Sequence, residues 1–216
     1  STARAGGFLD RQFRIARSRS RTARWMGRKQ GPLVTSLANQ ITAELRLLVG
    51  QPIGDCWRVA NMQIFEFGPR HPTRNRKGDD VEVGAICLHI QCRWRFVDGR
   101  SILFGRDDLN YPADGSIPEE SFDWDEAESV LDVTQSDWFE KHRPSLPVIH
   151  EVQGDEYGGF RISLAGGYSL ECFPCNSRRS EYSEHWRLLG HRTDGSHFVV
   201  TGHGVEDVND APAEGS

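Results

Sequence analysis

Four histidines, His185, His191, His197 and His203, recur at intervals of six. Imidazole suits zinc, copper or nickel, so this spacing is the first chemistry to weigh. A three-residue turn at Thr193-Asp194-Gly195 puts Trp186, Leu188, Phe198 and Val200 on one face. It also sets His191 opposite His197 and His185 opposite His203. Six strand residues span roughly 20 Å, so the two pairs cannot share one ion. A second constellation is Cys172-Phe-Pro-Cys175, a CxxC of the kind used by redox dithiols and zinc knuckles. Its Phe-Pro centre reads as a strand end, and Cys172 completes the apolar stripe of Tyr168 and Leu170. No second cysteine pair assists it, because Cys87 and Cys92 fall on opposite faces of a strand. The expectation is a hydrated histidine face and structural cysteines, with no metal and no cofactor.

Two polar sets invite ligands instead. His89, Gln91, Arg93 and Arg95 share one face of an alternating run, a cluster able to hold a small anion with His89 as the titrating group. Arg70, His71, Arg74, Arg76 and Lys77 crowd the segment 68–80, read as a long loop. It is a candidate for nucleic acid, although the interleaved aromatics of single-strand binders are missing. Between Asp107 and Glu128 lie nine carboxylates and no base. Pro112 and Ser121 fall where a calcium loop needs ligands, so this run reads as a solvated acidic face or a docking surface for a basic partner. The chain carries no GxSxG, HExxH, P-loop or GxGxxG.

The elements that must position these residues are legible in part. Leu33, Leu37, Ile41, Leu45 and Leu48 make one stripe of a helix over 33–49, with Thr35 or Ser36 as cap and Gly50-x-Pro52 as stop. Residues 57–67 read as a strand ending at Gly68-Pro69. Over 83–97, Ile86, Leu88, Ile90, Cys92, Trp94 and Phe96 alternate with polar residues, and an Asp98-Gly99 turn leads into 102–104. Residues 125–141 read as a second helix. An Ala165-Gly166-Gly167 loop pairs Leu164 with Tyr168, Ile162 with Leu170 and Arg161 with Glu171. Together these predict an α+β fold, a leading amphipathic helix and a mid-chain helix packed on a mostly antiparallel sheet of β-hairpins.

The net charge of −5 over 216 residues averages two unlike parts. Residues 1–32 hold nine of the 26 Lys/Arg and one of the 31 Asp/Glu, a balance of +8; residues 33–216 carry −13. The expected organisation is a basic arm over 1–32 outside the fold, a single domain over 33–205, and an acidic frayed tail over 206–216. Residues 1–25 are expected to be leader sequence. No apolar run approaches membrane-spanning length, and no export signal accompanies the five cysteines, so a cytoplasmic protein with reduced thiols is expected.

His89-Ile-Gln-Cys-Arg-Trp-Arg95, the segments Leu47–Gly50 and Arg58–Met62, Leu170–Pro174, and the pair Glu184–Leu188 and His197–Val200 resemble a family of small bacterial proteins. Its members share "LHxQCxWR" and "EHWRL…HFVV" strands, and the likeness covers about residues 37–203. It implies a fold and no established activity. The function expected is a non-catalytic binding protein that neutralises a basic protein partner, by analogy with bacterial immunity proteins. The alternatives are a small-anion site or enzyme on the His89–Arg95 face, and nucleic-acid binding through the arm and residues 70–77.

Overall fold

The computed structural model describes residues 35–74, 78–176, 184–190 and 195–209. The basic arm, Arg76, Lys77, His191 and the Thr193-Asp194 turn lie outside them. Among the described residues no helix is long and apolar enough to cross a membrane.

Helix α1 (Leu37–Leu45) begins where Ser36 accepts a hydrogen bond from the Asn39 N–H, and a 3-10 turn over Arg46–Leu48 continues it. Of the predicted stripe, Ile41, Leu45 and Leu48 are fully buried and Leu37 packs against the core, while Leu33 lies outside the described residues. Among the described residues eleven strands follow, interrupted by one long helix. They are β1 (Ile53–Val59), β2 (Met62–Arg74), β3 (Asp80–Ile90), β4 (Arg93–Val97) and β5 (Ile102–Gly105). After α2 (Val130–His142) come β6 (Ile149–Gly154), β7 (Phe160–Leu164), β8 (Tyr168–Phe173), β9 (Glu184–Leu189), β10 (Ser196–Thr201) and β11 (Gly204–Asn209). They form two antiparallel sheets, of order β1-β2-β3-β9-β10-β11 and β5-β4-β8-β7-β6. This is the α+β class that the sequence predicts.

The sheets share one apolar core. Phe65 of β2 meets Trp94 of β4 edge to face at 5.2 Å, and Phe160 of β7 meets Trp186 of β9 at 5.1 Å. Helix α1 sits on β6 at a point of closest approach: a Cβ on Gly154 would lie 2.6 Å from the Ile41 Cβ. Helix α2 starts at Val130 rather than 125, because Ser129 and Asp132 close a capping box. It drives Trp138 into a cluster with Phe96, Phe104 and Tyr168.

Four expectations change. The strand read over 57–67 is a hairpin, turning at Ala60-Asn61 with Ala60 at φ 52°. The segment read as a long loop from 68 is largely strand. A register shift between Phe67 and Arg70, with Gly68 at φ 79°, lets β2 continue to Arg74. The run 83–97 is two strands in different sheets. At the crossing the Gln91 and Cys92 N–H groups both donate to the His185 carbonyl, at 2.9 and 3.2 Å. Finally, β11 pairs with β10 as far as Asn209, so residues 206–209 are edge strand rather than frayed tail.

Candidate functional site

The crossing at Gln91-Cys92 decides the fate of the predicted anion cluster. His89 stays on the six-stranded sheet opposite Ile64 and Arg187, whereas Arg93 and Arg95 pair with β8 in the other sheet. The four residues therefore form no single site. Around His89, the Arg187 guanidinium is held at two points by Glu184 and lies 3.2 Å from His197 Nδ1, while Gln91 donates to Glu184 at 3.0 Å. Burial, with the Arg187 and His197 neighbours, holds the His89 imidazole below the ordinary histidine range, and Glu184 only partly opposes this. The charged form of His89 is thus disfavoured, beside a cation already paired with Glu184.

The cations of β4 find different partners. Arg93 pairs with Asp107. Arg95 Nε donates to Glu171 at 2.6 Å, and Arg161 closes on the other oxygen of the same carboxylate. The Arg161–Glu171 register is the one predicted from the three-residue Ala165-Gly166-Gly167 loop. Hollows of about 300 and 420 Å³ flank this triad, the first rimmed by Arg100, Ser101 and Ser169. Arg161 and Glu171 are therefore the residues that Arg95 meets. Only the β4–β8 pairing, invisible in local periodicity, brings them together.

The histidine face is corrected too. Leu188 pairs with Phe198 and Trp186 with Val200, a slip of two residues from the expected register. The same side chains still face the core, so the apolar pattern could not detect it. His197 pairs with Val208, and His203 falls in the β10–β11 turn, so His185 does not stand opposite it. The register shift between Val200 and Thr201 makes His185 the extra residue on β9. His185 and His203 nevertheless line one hollow of about 450 Å³, with Glu156, Tyr157, Asn176 and Thr201. Burial lowers the His185 pKa. Among the described residues no group of three His, Cys, Asp or Glu is placed to hold a metal ion. Cys172 is buried and Cys175 exposed, with the Cys175 thiol turned to the Phe173 carbonyl at 3.2 Å.

Two cations of the basic segment meet carboxylates of the chain itself, while Arg76 and Lys77 lie outside the described residues. Arg70 lies within 4 Å of Asp55, Glu66 and Glu82, and Arg74 bonds Asp80 at 3.1 Å. His71 is an exposed residue of β2.

The acidic run gains definition from its ends. Pro112 bridges to Ser129, the Ala113 N–H donates to the Glu128 carbonyl at 3.0 Å, and the Val130 N–H donates to Tyr111 at 2.8 Å. Residues 113–128 are therefore an Ω-type loop closed at its neck. Trp124 packs on the core, under the Arg58 guanidinium, which also donates to its carbonyl at 2.9 Å. Asp114 and Asp123 accept the Ser116 and Asp125 amides at 2.8 and 2.9 Å, stiffening two turns. All seven carboxylates of this loop, Asp114, Glu119, Glu120, Asp123, Asp125, Glu126 and Glu128, are solvent-exposed, and it holds no base.

In three comparisons the chain matches no family model, no curated protein and no solved structure. The resemblance described above rests on its motif residues.

Proposed function

We propose that this is a non-catalytic, cytoplasmic binding protein that docks and neutralises a basic protein partner through the loop 113–128. The carrying observation is that seven exposed carboxylates stand on a loop whose neck and tryptophan are fixed. A preordered loop loses little entropy on binding, and a single-sign surface steers an oppositely charged partner to it. The cations nearest the predicted sites, Arg58, Arg70 and Arg187, are answered by carboxylates of the chain itself, which leaves this loop as a distinct field.

Affinity capture with the full chain tests the reading, with bound proteins identified by mass spectrometry. Basic proteins should be retained at physiological salt and released at high salt. They should be lost by the variant Glu119→Lys/Glu120→Lys/Asp123→Lys. Capture that is unaffected by the charge reversal, or confined to acidic proteins, refutes it.

A second reading has its own support. Arg95 and Arg161 converge on one carboxylate between two hollows, a constellation suited to a small oxyanion. It differs from the anion site read on the strand alone, because only Arg95 of that set remains and Arg161 joins it.

A further inference from the structure

Five cysteines are dispersed in the sequence, yet two of them meet in the fold. Cys92, at the crossing from β3 to β4, and Cys172, on β8, lie 80 residues apart with their sulfurs at 3.2 Å. Cys92 keeps the inward face of Ile90 and Trp94, and Trp94 is the direct partner of Cys172. Cys92 is thus one diagonal step from Cys172, and the change of sheet draws the two thiols together. The CxxC partner is not the near one, since Cys175 turns its thiol to the Phe173 carbonyl.

The pair is accessible from one side. Cys92 is half-buried and lines a hollow of about 290 Å³ with Gln91, Arg93, Arg106, Cys175 and Asn176. The charge of Arg93 is answered by Asp107. Arg106 makes no ion pair among the described residues, and its Nε is buried without a hydrogen-bond partner. An arginine with an unpartnered Nε thus lines the same hollow as a half-exposed thiol, and solvent access to one thiol of a close pair is where oxidation to a disulfide begins.

We propose that Cys92 and Cys172 form a redox-active dithiol, oxidised to a disulfide by a hydroperoxide that enters through this hollow. The Cys92 thiol gives its proton to solvent and its sulfur attacks one peroxide oxygen. The O–O bond breaks, the departing oxygen is met by Arg106, takes a proton from solvent and leaves as water or an alcohol, and Cys92 becomes a sulfenic acid. The Cys172 sulfur then attacks the Cys92 sulfur; the S–S bond forms, the S–O bond breaks, and the hydroxide leaves as water with the Cys172 proton. Two electrons pass from the two sulfurs to the peroxide. The order follows from burial. Cys172 is enclosed, and its thiol is pushed well above the usual range by burial and by Cys92, so it is the resolving thiol rather than the one attacked. The bond would tie the crossing between the sheets to β8.

The test treats the folded full chain with hydrogen peroxide, blocks remaining thiols with N-ethylmaleimide under denaturing conditions, and maps the cysteine peptides by mass spectrometry. A Cys92–Cys172 linked peptide, lighter by two hydrogens than the separate pair, is expected. Cys175→Ser should retain it, and Cys92→Ser should leave Cys172 as a blockable thiol. Arg106→Gln, which leaves both thiols in place, should slow the linkage by about an order of magnitude without changing its partners. Recovery of Cys92 and Cys172 as free thiols after Cys175 has been oxidised overturns the proposal, as does a Cys172–Cys175 link.

Discussion

Arg58 on β1 grips Asp132, the N3 residue of α2, at two points: Nε to Oδ1 at 2.7 Å and Nη2 to Oδ2 at 3.0 Å. The same carboxylate accepts the Ser129 amide and hydroxyl, so one ion pair joins an outer strand to a helix cap. Burial alone would raise the Asp132 pKa. The Arg58 and Ser129 hydrogen bonds outweigh it and hold the carboxyl below the usual carboxylate range. A depressed native value stabilises the fold above the unfolded pKa of about 3.9, and that stability is lost as pH falls through the native value. Arg58→Met should cost about 2 kcal/mol at neutral pH in urea unfolding, with the gap to wild type narrowing toward pH ~2.5. A gap that stays constant over this range would show that the ion pair is not the source.

The contact of α1 with β6 depends on a missing side chain. A Cβ at Gly154 would meet the Ile41 Cβ at 2.6 Å and the Ala38 carbonyl at 2.8 Å, both on the helix. The Gly154 N–H also donates to Thr42 Oγ1 at 2.8 Å. Gly154→Ala should therefore destabilise by about 1–3 kcal/mol through overpacking, measured by the urea midpoint. A neutral effect would mean that α1 shifts without cost.

Glu66 on β2 is fully buried, and Arg70 stands 3.4 Å away. Burial raises its pKa, and the Gly84 amide and Arg70 only partly offset this. A raised native value means that the fold favours the protonated form. The stability is complete below the ordinary glutamate value of about 4.3 and is lost as pH rises through the native one. Glu66→Gln should raise the urea midpoint at neutral pH and give no gain at pH ~3.5. Destabilisation at neutral pH would show that the Arg70 pairing outweighs burial.

Glu171 bridges two guanidiniums that are themselves half-exposed. Removing it by Glu171→Ala should cost about 1 kcal/mol, because both arginines can turn to water. Millimolar inorganic phosphate should recover the lost melting temperature in this variant. It should not do so when Arg95→Met and Arg161→Met are added. Equal phosphate effects in all these proteins would dispose of the anion-site reading.

Much of the local structure was legible from residue types and spacing. Ser36 and the Ile41–Leu45–Leu48 stripe announce α1, and the Ala165-Gly166-Gly167 loop sets Arg161 against Glu171, because a one-residue slip would invert every side chain. The acidic composition of residues 113–128 was equally plain, but not the closure of the neck between Pro112 and Ser129. The Ala60-Asn61 turn lacked a glycine to mark it, and the bulge at Gly68 let a strand pass Pro69. The His185–His203 register failed for a different reason: a slip of two keeps the same face inward, so the apolar pattern is silent about it.

The sequence by itself determined which face of each strand turns inward, because alternation is a property of the single strand and of its contact with water. Only the tertiary structure decided which sheet each strand joins. The crossing at Gln91-Cys92 leaves the alternation of residues 86–96 intact, yet it separates His89 from Arg95, sets Arg95 on Glu171, and brings Cys92 to Cys172. Those pairings depend on residues up to 80 positions apart, and their energy exists only when the whole core is assembled.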